Sequence, residues 1–171
     1  GGQNHNECLG RFVDEALSFA DSHAIPVDAV AVSMGPGSYT GLRIGVSMAK
    51  GVCYGHGIPL VAVPTLQVMC VPVLLRYDDL PEDALLCPMI DARRMEVYST
   101  IYYDKKEIKP CSADILEEGI YDSYLSDKKD VVLVGDCLEK KKKVFEKNNF
   151  FFDFSVELTA KNMQSLAFEK Y

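Results

Sequence analysis

The stretch SMGPGSYTGLRIGVSMAKG, residues 33–51, sets five glycines and a proline around a run of apolar helix formers. A glycine-rich segment between a strand and a helix suggests a phosphate cradle, because backbone N–H groups at a helix N-terminus can close on an anion. The spacing argues otherwise. A Walker loop needs lysine directly after its last glycine, and the next lysine here is Lys50, well inside the predicted helix. The dinucleotide fingerprint needs G-x-G-x-x-G, whereas Gly35, Gly37 and Gly41 are spaced one residue too long. The reading that fits is a turn followed by a packing surface. Pro36 fixes its own φ, Gly35 and Gly37 permit a sharp reversal, and Ser38 or Thr40 can cap the helix. Gly41 and Gly45, then Gly51 and Gly55, lie four apart, so a second backbone can approach closely.

The helix is predicted from about Thr40 to Tyr54. Arg43, Ser47, Lys50 and Tyr54 form a narrow polar stripe, and almost everything else is apolar or glycine. A helix with so little polar surface must bury more than one face. One face can cover its own sheet, which leaves the Ile44, Met48, Gly51, Gly55 edge in need of another partner.

Upstream, AVAVS (29–33) reads as a short buried strand, and Cys8, Leu9, Phe12, Val13, Ala16, Leu17 and Ala20 recur at helical spacing from Asn6 to Asp21. Downstream, PLVAV (59–63) is a second buried strand. TLQVMCVPVLLR is a third apolar helix, expected to be capped by Thr65 and kinked at Pro72. The acidic, turn-rich YDDLPED (77–83) marks the boundary between an N-terminal lobe, 1–80, and a C-terminal lobe, 81–171.

Beyond that boundary the period changes from helical to alternating. ALLCPMI is a strand, DARR a turn, and MEVYSTIYY a strand that pairs back. ADILEEGIYDSYL is predicted helical, VVLVG a buried strand, LEKKKKVFEKN a polar helix, FFFDF a strand and TAKNMQSLAFEKY a helix. A helical pattern begins almost at residue 1 and another runs to residue 171 without a stop signal, so both ends are expected to continue beyond this sequence.

Composition narrows the function. With 25 Asp and Glu against 18 Lys and Arg, the net charge is −7. Such a chain is a poor candidate for holding nucleic acid by itself, since phosphate binding depends on Lys and Arg displacing counterions. The six cysteines are scattered without a C-x-x-C pair and read as small buried hydrophobes in a reducing compartment. No apolar run reaches the roughly 20 residues a bilayer requires, and a cytoplasmic, membrane-free protein is expected.

Three charged or nucleophilic groupings have plainer readings. Asp91, Arg93, Arg94 and Glu96 lack an accompanying histidine or nucleophile, so mutual pairing within a hairpin is expected rather than acid–base work. Ser38 and Thr40 have no evident His–Asp partners. Lys140–Lys143 with Lys147 reads as a solvated helix face rather than an RNA contact.

The run GPGSYTGLRIGVSMAKG, followed by IPLVAVPTLQVM and DARRMEVY, resembles the bacterial TsaB family, also called YeaZ. The resemblance in element order covers essentially the whole chain. It implies an α/β fold of the actin-like, Hsp70-like (ASKHA, ribonuclease H-like) kind, two-lobed, with mixed sheets flanked by helices. Family members open with a hairpin of the type I-L-A-I-D-T-S, which this sequence does not contain, so the first lobe is expected to be incomplete at its N-terminus here.

The resemblance also implies a part in making N6-threonylcarbamoyladenosine beside the anticodon of tRNA. In that family TsaB is the non-catalytic partner of its paralogue TsaD, alongside TsaC and the ATPase TsaE. Docking runs through the first two helices of each protein, and tRNA is met only through the complex. Carried onto this sequence, the partner interface comprises His5, Leu9, Phe12, Thr40, Arg43, Ile44, Ser47, Met48 and Gly51. Gly35, Pro36, Gly37 and Ser38 form the turn and helix cap. The same surface is expected to give a homodimer in isolation.

The catalytic paralogue carries an H-x-x-x-H metal pair on its first helix, but His5 here is followed four residues later by Leu9. Neither catalytic residues nor a metal site are therefore expected. No cofactor of its own is expected either, with ATP or ADP entering at the level of the complex. The alternative is a free-standing nucleotide-dependent enzyme, or a glycoprotease-like peptidase, of the same fold.

Overall fold

A computed structural model describes residues 5–76, 84–124, 130–135, 142–145, 150–153 and 158–171. These divide into two compact units: residues 1–65 with 163–171, and residues 66–162. The boundary expected at residues 80 and 81 lies outside the described residues.

In the first unit, α1 spans His5–Ser22, β1 Val30–Ser33, α2 Tyr39–His56 and β2 Leu60–Val63. The strands β1 and β2 pair in parallel, with Val30 opposite Leu60 and Ser33 opposite Val63. A parallel pair requires a crossover, and α2 supplies it. Gly57, in the left-handed region at φ 67°, ends α2, and its N–H donates to the Cys53 carbonyl. The final helix α4, Gln164–Lys170, packs on β2, and Lys170 Nζ donates to the Ala62 carbonyl at 3.3 Å.

The second unit is a five-stranded mixed sheet. Its strands are β3 (Leu85–Asp91), β4 (Glu96–Tyr103), β5 (Lys106–Ile115), β6 (Val131–Val134) and β7 (Phe150–Asp153), in the order β5-β4-β3-β6-β7. The β3–β4 and β4–β5 pairs are antiparallel, while β3, β6 and β7 run parallel.

Alternation along the strands sorts the core into two faces. Leu85, Cys87 and Met89 join Val131 and Leu133 on one, packed with Leu116, Tyr121 and Phe145. Leu86, Val132 and Val134 face the other way, onto Leu66, Met69, Cys70 and Val73 of α3 (Thr65–Arg76), a helix that continues through Pro72. Burial pushes the Cys70 thiol well above its usual range, so it behaves as a hydrophobe.

The sequence reading fails at two places in this unit. The strand β5 is absent from it, and the helix expected over ADILEEGIYDSYL is instead the end of β5 followed by a chain of turns through Tyr124. The segment 111–115 is drawn into the sheet by pairing with Glu96–Ser99, a non-local gain that outweighs helical periodicity. Of the predicted polar helix, the described part is a single 3₁₀ turn at Lys142–Phe145. Lys140, Lys141 and Lys147 lie outside the described residues. No described helix is long and apolar enough to cross a membrane.

Candidate docking site

The glycine-rich turn is held from below by Thr65. Its hydroxyl accepts from the Gly35 N–H at 3.0 Å and lies 2.6 Å from Ser33 Oγ, while the Thr65 N–H donates to the Gly35 carbonyl at 2.9 Å. Thr65 opens α3, but its side chain serves the turn instead of capping its own helix. The backbone of Gly35 is left-handed at φ 106°, and a Cβ there would stand 3.1 Å from Leu42 Cδ1. Glycine is therefore required by conformation and by space. The Gly35–Pro36 peptide is cis.

Ser38 is the N-cap of α2, accepting from the Gly41 N–H at 3.3 Å, and its carbonyl receives the Leu42 N–H at 2.8 Å. Two amides that a phosphate cradle would aim at an anion, those of Gly35 and Gly41, are thus satisfied inside the protein.

The helix this turn launches is poorly covered. Of its eighteen residues only Ala49 and Cys53 are buried. Built onto Gly45, Gly51 or Gly55, a Cβ meets none of the described residues within 4 Å. An open groove of about 810 Å³ runs along this face, lined by Thr40, Arg43, Ile44, Ser47, Met48, Gly51, Val52, Gly55 and His56. Arg43 is steadied at its rim by the Tyr39 ring, 5.5 Å away. The helix α2 carries no carboxylate, in a chain where acids outnumber bases.

The six α2 residues expected at the interface, Thr40, Arg43, Ile44, Ser47, Met48 and Gly51, therefore share one groove. Leu9 and Phe12 lie on α1, Leu9 half-buried and Phe12 54% exposed, and neither lines the groove. His5 opens α1. The sequence reading missed Gly10, where α1 meets α2: its Cβ position lies 3.7 Å from Met48 Cε. It also missed Val52 and His56 at the lower end of the groove. Val52 was findable, since it continues the Ile44, Met48 row at a spacing of four.

A second polar cluster lies within the other unit. Lys109 Nζ donates to Asp114 Oδ2 at 2.8 Å and to Ser112 Oγ at 2.7 Å. Asp114 also accepts from Ser99, from Ser112 at 2.7 Å and from Tyr121 at 3.2 Å. Burial alone would raise the Asp114 carboxyl, but the bonds from Lys109, Ser99 and Ser112 outweigh it and hold the group below its usual range. The phenol of Tyr121 is pushed strongly upward by burial, so it remains a donor. Lys109 points inward from β5 as an 8%-exposed cation with its counter-charge in place. The cluster staples β4, β5 and the following turns together.

The mixed sheet, the parallel pair and their flanking helices make this an α/β protein, and the family match with the solved structures below makes its class the actin-like, Hsp70-like one. Residues 2–151 match the family described as TsaD, tRNA N6-adenosine threonylcarbamoyltransferase. Together with the curated relatives, this places the chain in the TsaB/YeaZ branch of that family, to which it belongs. It is similar to the tRNA threonylcarbamoyladenosine biosynthesis protein TsaB of Bacillus subtilis, at 34% identity over 60% of this chain and 42% of the relative. The Haemophilus influenzae TsaB is 31% identical over 56% of this chain and 39% of its own length. The match thus spans about two fifths of the length of these TsaB relatives. Among solved structures, YeaZ from Pseudomonas aeruginosa superimposes with a TM-score of 0.75 at 21% identity, over 98% of this chain and 76% of that one.

Proposed function

We propose that this chain is a non-catalytic subunit of the machinery that makes N6-threonylcarbamoyladenosine in tRNA, and that it acts by docking onto the TsaD transferase, its paralogue. The observation that carries the reading is the uncovered face of α2. Ile44 and Met48 stand half-buried in an open groove, flanked by glycines with no described residue against their Cβ positions. An apolar, glycine-lined groove suits a packed helix from a partner better than a polar substrate. The occupant is taken to be the paralogue because the curated relatives are named for this pathway.

On this reading Thr40, Arg43, Ile44, Ser47, Met48 and Gly51 contact the partner, with His5, Leu9 and Phe12 of α1 completing the surface. The same surface pairs two copies of the chain when TsaD is absent. TsaE and TsaC belong to the same assembly and pathway, ATP or ADP binds at the level of the complex, and the work is cytoplasmic.

The test is light scattering coupled to size exclusion, mixing the full-length protein with its cognate transferase. Wild type is expected to form a stable heteromer, and Ile44→Asp with Met48→Asp to abolish it while circular dichroism stays native. Association that survives both buried charges would place the interface elsewhere.

A further inference from the structure

The hairpin between β3 and β4 turns through two consecutive arginines in the left-handed region, Arg93 at φ 75° and Arg94 at φ 51°. This backbone is disfavoured for a residue with a Cβ; glycine would relieve it fully, and asparagine tolerates it better than arginine does. The turn closes without using either side chain. Asp91 Oδ1 accepts from the Arg93 N–H at 3.0 Å, the Glu96 N–H donates to the Arg93 carbonyl at 3.0 Å, and the Ala92 N–H donates to the Glu96 carbonyl at 3.1 Å. The mutual charge pairing expected from the sequence is not seen at either guanidinium among the described residues. Both arginines are exposed, and no ion pair among the described residues engages either guanidinium.

Two adjacent guanidiniums thus stand on a hairpin fixed by its own backbone bonds, in a chain whose net charge of −7 repels polyanions. Each guanidinium offers a planar fork of donors that matches the oxygens of a phosphate. Met95 is the exposed apolar neighbour, and no ring is available on the turn to stack on a base. The contact this geometry favours is to backbone, which positions a nucleic acid without reading its sequence.

We propose that Arg93 and Arg94 hold phosphates of an RNA backbone, giving this chain a direct contact with the nucleic acid that its complex modifies. The proposal rests on the function proposed above. The informative variant is Arg93→Gly with Arg94→Gly, because glycine adopts the left-handed turn freely while both charges are lost.

The full-length protein and its transferase are first tested for co-elution without RNA, then titrated with a tRNA transcript across a salt series. Co-elution is expected to be unchanged and the thermal midpoint equal to or above wild type. RNA affinity should fall on the order of tenfold at low salt, with the slope of log affinity against log salt shallower by about 1.4–1.8. Arg93→Lys with Arg94→Lys should keep most of the slope. An unchanged affinity and slope in the glycine variant overturns the proposal, as does loss of co-elution, which would put the arginines in a protein interface. Failure of the wild-type pair to co-elute refutes the docking reading instead. The same titration on the chain alone at low salt then decides the hairpin: a difference between wild type and glycine variant supports it, and equality overturns it.

Discussion

The hydroxyl of Thr65 stands 2.6 Å from that of Ser33 and accepts the Gly35 N–H, joining residues thirty apart in sequence at the point where the chain leaves β1 for α2. Thr65→Val keeps the shape and removes both bonds in a site where Thr65 is only 6% exposed. The orphaned Gly35 amide should cost about 1–3 kcal/mol. Chemical denaturation measures the loss, and amide exchange at Gly35 should rise more than at Val63.

The glycines of α2 separate folding from docking. Among the described residues nothing lies within 4 Å of a Cβ at Gly45 or Gly51, so Gly→Ala there should raise stability by up to about 1 kcal/mol each through helix propensity. Gly51→Leu should fold equally well yet fill the groove and prevent association with the transferase. A Gly51→Leu protein that still binds would remove the groove from the interface.

Asp114 makes the second unit sensitive to acid. A carboxyl held below its usual range on folding contributes stability that is fully present above its unfolded value of about 3.9 and is lost as pH falls through the lower folded value. Stability measured from neutral pH downward should therefore fall below about pH 4. Asp114→Asn should flatten that limb and cost about 1–2 kcal/mol at neutral pH, moderated by partial solvent access, since Lys109 loses its counter-charge.

Gly135 ends β6 at φ 150°, and a Cβ there would lie 2.3 Å from the Met89 carbonyl oxygen. Backbone on the neighbouring strand cannot yield as a side chain tip can. Gly135→Ala should destabilise by about 3 kcal/mol or more, and an alanine variant with a native thermal midpoint would contradict this packing.

What the sequence revealed and concealed follows from the range of the interactions involved. The periodicity of α2 and its glycine spacing are local, and they predicted the helix and the Ile44, Met48, Gly51, Gly55 edge that lines its groove; Thr40, Arg43 and Ser47 were expected there from the family resemblance, and Val52 and His56 were missed. The strand VVLVG and the hairpin around DARR were equally legible, one from an apolar run and the other from a change of period. The strand β5 was not, because KEIKPCSADI contains a proline and alternates poorly. It becomes a strand by pairing with β4, a partner that no local window contains. Thr65 was misread for the same reason. A threonine at a helix start looks like a cap, and the parallel register that sets Ser33 opposite Val63, next to the turn, is fixed by the sheet.

The placement of β5 has a consequence for the chain's behaviour at high concentration. Among the described strands it is an outer one of its sheet, ten residues long, and an unprotected strand of that kind is a template for pairing with another chain. Here Pro110 deletes one donor, the ladder slips register between Ser99 and Tyr102, Lys109 turns a cation inward, and Lys105, Lys106 and Glu107 crowd the approach. This rim of the sheet is therefore built against polymerisation by strand addition, whatever the bare face of α2 in the other unit meets.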